Sequence, residues 1–386
     1  MAIAFIDLQA QRKRIEPQIN AAVQKVIESG AYIMGPEVKQ FEGDLAAFSG
    51  AKHALGCANG TDAIALPLMA WEIGAGDAVF CPSFTFCATG EVVPWVNATP
   101  VFVDIEPDTY NMNPDHLVAQ IERVLKEGRL KPRVIVGVCL FGQAANYPRL
   151  REIADKYGMK LIADSAQGFG TTINGKHPSD WADCVTTSFF PAKPLGCYGD
   201  GGGVVTNDTA LAEIIDSLRV HGKAVTSDLK GKTFDHDPKY LNMRVGMNSR
   251  LDTIQAAVLI EKLKIYADEI VLRNKVAARY NELLKPHVAA VPFVKPGFVS
   301  TWAQYTIEHD NRDGLAAHLK TQDIPTAVYY PVPMHMNQAY REWAPKPGEL
   351  AVTEAKSERV ISLPMHPYLD IATQDRIVDA VRTFNG

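Results

Sequence analysis

Short apolar runs alternate with helix-like segments between about residues 50 and 206 of this chain. Seven runs rich in β-branched residues have the length of strands: HALGCA, AVFCPS, PVFVDI, RVIVGVCLFG, KLIADSA, CVTTSFF and GGVVTN. This alternation predicts an α/β fold. Because residues 134–138 are apolar at successive positions, both faces of their strand should be covered, which is typical of a mainly parallel sheet. We therefore expect functional residues at the carboxyl ends of the strands.

The pattern changes near residue 248. The tetrapeptide SRLD at residues 249–252 resembles a capping box, and a long helical pattern follows it. We predict a large domain over residues 1–248, and a linking helix with a small C-terminal α+β domain over residues 249–386. The polar segment 221–244 contains glycine and lysine and is expected to form a mobile loop.

Length and charge exclude several classes of function. The chain has 386 residues, which is enough for about two domains. It is 47% hydrophobic and 22% charged, and its net charge of -5 offers no basic surface for nucleic acid or anionic lipid. The first residues lack a cationic stretch leading into an apolar one, and no run of about eighteen apolar residues occurs. We expect a cytoplasmic protein with no nucleic-acid or membrane partner.

Cysteine and histidine positions give no sign of a metal site. The six cysteines form no C-x-x-C pair, and most of them lie inside apolar strand-like runs. We therefore expect buried, reduced thiols. The ten histidines are scattered singly along the chain, so no metal is expected.

One lysine occupies a position that suits covalent chemistry. In the segment SFFPAKPLG, Lys193 follows an apolar strand and lies among turn-forming residues. A lysine amine is nucleophilic only when it is neutral, and partial desolvation lowers its pKa enough to allow a Schiff base. Most lysines between Pro and Gly are ordinary solvated loop residues, so Lys193 needs support from other positions.

Two further strand ends carry side chains that suit an aromatic ligand. The carboxylate of Asp164 either pairs with a protonated pyridine nitrogen or caps the next turn. Gln167 could reach a ring hydroxyl, although isolated glutamines usually bond to the backbone. Phe86 could stack on a ring, although core packing is the commoner role of such a residue.

The segment Asn59-Gly60-Thr61-Asp62-Ala63 lies between a strand and a helical pattern. Backbone N–H groups of Thr61 and Asp62 could bind a phosphate at the helix start, and Ser188 could add a hydroxyl. The alternative is an ordinary helix N-terminus with Asp62 in its first turn. A lysine for an aldehyde, an acid for a ring nitrogen, an aromatic face and a phosphate site together fit pyridoxal 5′-phosphate (PLP).

The order of these motifs resembles the DegT/StrS family of sugar-nucleotide aminotransferases. The motifs are GTD, FTFCAT, ADSAQGFG, TSFFPAKPLG, GDGG and MNSRLDTIQAAVL, preceded by FIDLQAQ and SGAYIMGPEV and followed by SLPMHPYL. The similarity covers nearly the whole chain. It implies fold type I of the PLP-dependent enzymes, with aspartate-aminotransferase architecture, and a homodimer whose active sites form across the subunit interface.

The resemblance also implies a role for each candidate residue. Lys193 would hold PLP as a Schiff base and act as acid and base, and Asp164 would pair with the ring nitrogen. Gln167 would contact the ring hydroxyl, and Phe86 would stack on the ring. The groups implied around the phosphate are Gly60, Thr61, Asp62, Ser188 and, from the neighbouring subunit, Asn248. By position alone Asn248 is a candidate helix N-cap, and Ser249 is an equal candidate.

Within this family the chain is most similar to enzymes that aminate C3 of UDP-2-acetamido-2-deoxy-3-oxo-D-glucuronate on the route to bacterial surface polysaccharides. L-glutamate would donate the amino group, pyridoxamine 5′-phosphate would carry it, and the keto-sugar would accept it. The substrate contacts implied are Gly30, Tyr32, Ser188, Arg250, Tyr329 and Tyr330. Arg250 suits a uronate because a guanidinium binds a carboxylate through two hydrogen bonds, but it could also be a surface charge at a helix start.

One residue departs from the family pattern, and three other activities compete. Tyr329 stands where similar enzymes tend to have histidine, so this position does not fix the identity of the sugar. Amination of a 4-oxo sugar nucleotide is the first alternative. A sugar dehydratase is disfavoured because such relatives replace the lysine with histidine. A non-catalytic sensor is disfavoured because Lys193, Asp164, Gln167 and Ser188 are all present.

Overall fold

A computed structural model of the chain describes residues 3–231, 237 and 240–384. In this part the helices are α1 (Leu8–Arg14), α2 (Glu16–Ser29), α3 (Pro36–Ser49), α4 (Gly60–Ala70), α5 (Ala88–Trp95), α6 (Pro114–Glu127), α7 (Tyr147–Tyr157), α8 (Thr209–Leu218), α9 (Thr226–Leu229), α10 (Thr253–Leu284), α11 (Arg312–Thr321), α12 (Ala351–Arg359) and α13 (Ile371–Arg382). The strands are β1 (His53–Cys57), β2 (Asp77–Pro82), β3 (Thr99–Val103), β4 (Lys131–Val138), β5 (Lys160–Asp164), β6 (Thr172–Ile173), β7 (Cys184–Ser188), β8 (Gly202–Thr206), β9 (Phe298–Val299), β10 (Tyr305–Glu308) and β11 (Val360–Leu363).

Seven strands form one sheet in the order β1-β8-β7-β5-β4-β2-β3. Strands β7, β5, β4, β2 and β3 pair in parallel, and β8 is antiparallel to both of its neighbours. Each apolar run singled out in the sequence forms one of these strands. The predicted α/β fold with a mainly parallel sheet is therefore confirmed.

Helices cover both faces of this sheet, as the continuous apolar run in β4 predicts. Ile135 packs into a cluster with residues of α3, α6 and α7 on one face. Its neighbours Val134 and Val136 pack into a second cluster, with residues of α4, α5 and α8, on the other face. Because successive side chains of a strand point to opposite faces, this arrangement leaves no polar face on the strand.

The prediction of a capping box at residues 249–252 is wrong, because the long helix α10 begins only at Thr253. The residue before its first turn is Asp252, whose side chain makes no capping hydrogen bond. Ser249 is fully buried, and its hydroxyl accepts a 3.2 Å hydrogen bond from the amide of Ala58 in the loop after β1. Asn248 lies opposite Val220 in an isolated β-bridge. The Ser249 hydroxyl, which the sequence pattern predicted to cap a helix, is instead used in a tertiary hydrogen bond.

A third apolar cluster lies toward the C-terminus. Tyr280 in the second half of α10 packs there with Tyr305 and Ile307 of β10, Leu315 of α11 and Ile377 of α13. Strands β10 and β11 pair antiparallel beside it. This part of the chain thus contains both helices and strands, and its division from the large domain stays a prediction. The boundary after residue 248 stays a prediction, because α10 packs on both this cluster and the core of the sheet.

The predicted loop 221–244 lies partly outside the described residues, at positions 232–236, 238 and 239. Its described part contains α9, and the guanidinium of Arg244 forms an ion pair with Asp228 at 2.6 Å. The mobility expected for this segment stays a prediction. All six cysteines are free thiols, as expected, and all but Cys87 are buried. Among the helices described, none is long and apolar enough to cross a membrane.

Close packing of β8 against the loop after β1 predicts a marked effect of Gly202→Ala. A methyl group at Gly202 would lie 2.2 Å from the carbonyl oxygen of Asn59, and backbone atoms there cannot move aside. We expect the free energy of unfolding, measured with a chemical denaturant, to fall by about 1–3 kcal/mol. The control is Gly43→Ala in α3, where nothing lies within 4 Å of the added methyl and the free energy should not fall. Equal free energies for the two variants would contradict this packing argument.

Candidate active site

A cavity of about 440 Å³ opens at the carboxyl ends of the parallel strands. Strand β5 ends there at Asp164 and β7 ends there at Ser188, while β1 and β2 lead into the loops before α4 and α5. Function was expected at this edge of the sheet. The predicted site residues that line the cavity are Gly60, Thr61, Phe86, Asp164, Gln167, Ser188, Lys193, Tyr329 and Tyr330.

Lys193 enters the cavity from the loop between β7 and β8. Burial lowers the pKa of its amine, and the negative charge of Asp164 acts in the opposite direction. Within the described part of the chain, the amine forms neither a hydrogen bond nor an ion pair. A desolvated amine without a fixed partner has a larger neutral fraction near neutral pH, which is the form that attacks a carbonyl.

Asp164 is a buried carboxylate, only 5% exposed. Its Oδ2 accepts a 2.8 Å hydrogen bond from the Thr89 hydroxyl, and its Oδ1 accepts a 3.1 Å bond from the Ala166 amide. Burial raises the pKa of Asp164, although both hydrogen bonds and the charge of Lys193 lower it. No lysine or arginine of the described chain forms an ion pair with this carboxylate. The site can therefore accept a cation from a ligand.

Gln167 and Tyr330 form one wall of the cavity. The Oε1 of Gln167 accepts a 2.9 Å hydrogen bond from the amide of Phe141, and its Nε2 donates a 2.8 Å bond to the hydroxyl oxygen of Tyr330. Burial raises the pKa of Tyr330, so its hydroxyl keeps its proton. Since the tyrosine oxygen accepts from Gln167, its own O–H remains able to donate to a ligand.

The start of α4 meets the end of β7 at the other side of the cavity. A Cβ added at Gly60 would lie 2.5 Å from the Cβ of Ser188, so only glycine allows this approach. The side chain of Asn59 caps the helix by accepting a 2.8 Å hydrogen bond from the Asp62 amide. The Asp62 amide, which was predicted to bind a phosphate, is thus already hydrogen-bonded to the side chain of Asn59. The amides of Gly60 and Thr61 remain at the helix start, where the dipole favours an anion.

Five predicted site residues do not line this cavity: Gly30, Tyr32, Asp62, Asn248 and Arg250. Tyr32 is 48% exposed, and its hydroxyl donates to the carbonyl of Ile27 at 3.1 Å. Asn248 is exposed, and Arg250 lines a separate cavity of about 870 Å³ that also contains Met34 and His221. A single chain therefore brings together the groups predicted for ring chemistry, and with them three of the six residues predicted to contact the sugar: Ser188, Tyr329 and Tyr330.

Sequence reasoning missed two residues that the structure places in the cavity wall. Thr89 lies in the first turn of α5, three residues after Phe86, and holds Asp164. Its position one helical turn beyond the aromatic residue was the available signal. Gln304 immediately precedes β10, and its Oε1 is buried without a hydrogen-bond partner in the described chain. Its polar character beside an apolar strand could have identified it.

Comparisons with known proteins show the family of this chain. The model of the DegT/DnrJ/EryC1/StrS aminotransferase family matches residues 13–382. A UDP-2-acetamido-2-deoxy-3-oxo-D-glucuronate aminotransferase of Pseudomonas aeruginosa is 45% identical over 371 residues, which is 96% of this chain and 97% of that protein.

Two solved structures share the whole architecture. A DegT/DnrJ/EryC1/StrS aminotransferase from Brucella abortus superimposes with a TM-score of 0.94 at 51% identity, over 100% of both chains. DesV of S. venezuelae, solved in complex with a ketimine intermediate, gives a TM-score of 0.91 at 35% identity, over 99% of this chain and 98% of that one. The fold is therefore that of the fold type I aminotransferases, as expected. This chain belongs to the DegT/DnrJ/EryC1/StrS aminotransferase family.

Proposed function

We propose that this protein is a PLP-dependent aminotransferase that moves the amino group of L-glutamate to the C3 ketone of UDP-2-acetamido-2-deoxy-3-oxo-D-glucuronate. One observation carries the proposal. A lysine with a lowered pKa and a buried carboxylate that forms no ion pair among the described residues face one cavity, whose other side is a helix start in contact with a serine.

The residues of the cavity fit PLP. Asp164 would pair with the protonated ring nitrogen, because this buried carboxylate has no ion-pair partner among the described residues. The amides of Gly60 and Thr61, with the hydroxyl of Ser188, would bind the phosphate. Phe86 is 52% exposed at the cavity and offers an aromatic face to the ring. When bound, PLP supplies an electron-withdrawing ring that makes the Cα–H of an amino acid acidic and stores the amino group between half-reactions.

Lys193 has two tasks in this reaction. Its amine would hold the cofactor through the aldehyde carbon, and it would be freed when an amino group of the substrate takes its place there. The freed Nζ can accept the Cα proton of glutamate and deliver a proton to the cofactor, which requires a neutral amine. Burial supplies that neutral form by lowering the pKa of Lys193. Asp164 would favour a positive charge at the ring nitrogen, and Thr89 keeps Asp164 oriented through its hydrogen bond.

The acceptor is proposed from the Pseudomonas aeruginosa relative, whose name gives that sugar nucleotide. Tyr329 and Tyr330 line the cavity and offer hydroxyl groups to a sugar. Tyr329 is half-buried, and burial raises its pKa, so it acts as a neutral donor. A role in the synthesis of bacterial surface polysaccharide follows from the same proposal. Amination of a 4-oxo sugar remains the competing outcome of the experiment below.

We further propose a homodimer with shared active sites. Asn248, Arg250, Gly30 and Tyr32 lie outside the cavity of their own chain, although the family resemblance gives each of them a place at the site. Large apolar side chains are exposed in the same segments, among them Ile33 at 50% and Val245 at 89%. Apolar side chains clustered on the surface of a soluble protein are typical of an interface, and a two-fold axis would carry each residue to the opposite cavity.

The choice of acceptor can be tested with the aminated cofactor form of the enzyme. We expect a C3-keto UDP-sugar to take up the amino group and C4-keto sugars to react more than about tenfold more slowly, because the ketone must lie next to Lys193. The amino-sugar product and the return of the lysine-bound absorbance are measured together. Lys193→Ala, the control, should form no product with any sugar. Preferential reaction of a 4-oxo sugar would replace the proposed acceptor, and wild-type turnover by Lys193→Ala would exclude the proposed chemistry.

The hydrogen bond from Thr89 to Asp164 predicts a change in pH dependence. This bond stabilises the charged carboxylate, so Thr89→Val should raise the pKa of Asp164 further. Asp164 would then become protonated, and lose its attraction for the ring nitrogen, at a higher pH. We expect the acid limb of the kcat/KM profile to move upward by about 1 pH unit. Thr89→Ser keeps the hydroxyl and should restore the wild-type profile, and an unmoved limb in Thr89→Val would contradict the role of Thr89.

Shared active sites can be tested by mixing inactive subunits. Lys193→Ala and Arg250→Glu should each be inactive alone, but their mixed dimer has one site free of both changes. Refolding equal amounts together should restore about a quarter of the wild-type activity, because half of the dimers are mixed. The control is a mixture of Lys193→Ala and Asp164→Ala. One subunit supplies both residues to each site, so every site of this mixture carries one of the two changes. Restored activity in the control, or none in the test mixture, would exclude the proposed arrangement.

A further inference from the structure

The loop that carries Lys193, residues 189–201, is closed at its base by backbone contacts. Ser188 and Gly202 are paired in the β7–β8 ladder, and the amide of Phe189 donates a 2.7 Å hydrogen bond to the carbonyl of Gly201. The amide of Cys197 also donates to the carbonyl of Phe189 at 2.7 Å. These contacts fix the ends of the loop. The outer part of the loop is residues 193–199, in which Leu195 and Cys197 are buried in the apolar cluster on one face of the sheet and Tyr198 is 39% exposed.

Helix α10 holds this outer part at two points. The side-chain Oε1 of Gln255 accepts a 2.8 Å hydrogen bond from the amide of Tyr198. The amine of Lys262 donates a 2.6 Å hydrogen bond to the carbonyl of Gly196. Gln255 and Lys262 are seven residues apart, which is about two helical turns, so both lie on one face of α10.

Lys262 is an unusual residue to bury, and its surroundings explain its orientation. It is only 1% exposed, and its amine lies 4.4 Å from the centre of the Tyr198 ring. Burial lowers the pKa of Lys262 to about 8, and the nearby Glu269 and Cys197 act in the opposite direction. No carboxylate forms an ion pair with it in the part of the chain that is described. Among the described residues, the hydrogen bond to Gly196 and the face of the Tyr198 ring are therefore the contacts that offset the cost of burying the amine, and both lie in the loop of Lys193.

The glycines of the loop keep the outer part close to these contacts. A Cβ at Gly199 would lie 2.8 Å from the Nε2 of Gln255. A Cβ at Gly196 would lie 2.5 Å from the carbonyl oxygen of Pro191, on the other arm of the loop. The loop is thus folded tightly on itself and against the helix, with Lys193 between Pro191 and Gly196.

We propose that Lys262 and Gln255 are positioning residues that hold the loop of Lys193 against α10 and so place the Lys193 amine in the cavity. The proposal rests on the proposed function, because it concerns the reach of Lys193 toward a cofactor. Neither side chain lines the cavity, so both act through the backbone of the loop. Without the two contacts, the outer part of the loop keeps its attachment at the base and the packing of Leu195 and Cys197, but it loses both side-chain hydrogen bonds that hold it to α10.

The test compares Lys262→Met, which keeps a long apolar side chain but removes the donor, with the wild type. PLP is added to the cofactor-free protein, borohydride is added at set times, and mass spectrometry measures the cofactor bound covalently to the peptide of Lys193. We expect attachment to slow by about tenfold or more, because small misplacements of a reacting group have large effects on rate. In steady state, kcat should fall by a similar factor while the KM for glutamate changes by less than about twofold.

Lys264→Met is the matched control, because Lys264 is an exposed lysine of the same helix that pairs with Glu261 at 2.7 Å. It should keep the wild-type rates. Gln255→Met removes the second contact and should show the same pattern as Lys262→Met, with slower attachment and lower kcat at unchanged KM. If Lys262→Met does not fold, the measurements on Gln255→Met test the positioning role instead.

Two results would overturn the positioning role alone: wild-type attachment rates in a folded Lys262→Met or Gln255→Met, or a rise in KM at unchanged kcat. A wild type that attaches no cofactor at Lys193 would instead overturn the proposed function. The two failures are therefore distinguishable in one set of measurements.

Discussion

The burial of the Asp164 carboxylate is the constraint on which the site depends. An ionised carboxylate inside a protein requires hydrogen bonds and an opposite charge to offset the loss of water. Thr89 and Ala166 supply the hydrogen bonds, from α5 and from the turn after β5. The described residues supply no ion-pair partner. A cationic group of a ligand in the cavity would therefore favour the charged form of Asp164, against the burial that raises its pKa.

The parallel sheet makes this arrangement possible. Strands β5 and β7 are neighbours that run in the same direction, so Asp164 and the loop of Lys193 meet at one edge. Strand β8 returns antiparallel to β7 and closes that loop at its base, which confines Lys193 to the cavity. Helix α10 then supports the outer part of the loop and continues into the C-terminal cluster. The loop of Lys193 is thus supported by strand β8 at its base and by helix α10 at its outer part.

The sequence was sufficient for features that depend on local composition. Long apolar runs predicted all seven strands, and polar residues directly after them predicted where Asp164 and Lys193 meet, because parallel strands end at a common edge. Features that depend on distant partners were not predictable. Ser249 resembled a capping residue, but Ala58, far away in sequence, uses its hydroxyl. Thr89 and Lys262 likewise gain their roles from contacts 75 and 66 residues away along the chain.

The division between residues inside and outside the cavity has a consequence for substrate choice. The groups suited to cofactor chemistry, such as Lys193, Asp164 and Gly60, lie within one chain and on the rigid edge of the sheet. Of the groups proposed for the sugar, Ser188, Tyr329 and Tyr330 line the same cavity, whereas Tyr32 and Arg250 lie outside it and would reach a site only across the proposed dimer interface. Substitutions at the surface leave the packing of the sheet edge unchanged. A substitution at Tyr32 or Arg250 would therefore change the proposed sugar contacts without changing the cavity of Lys193, whereas a substitution at Tyr330 would also remove the hydrogen bond that Gln167 donates to it.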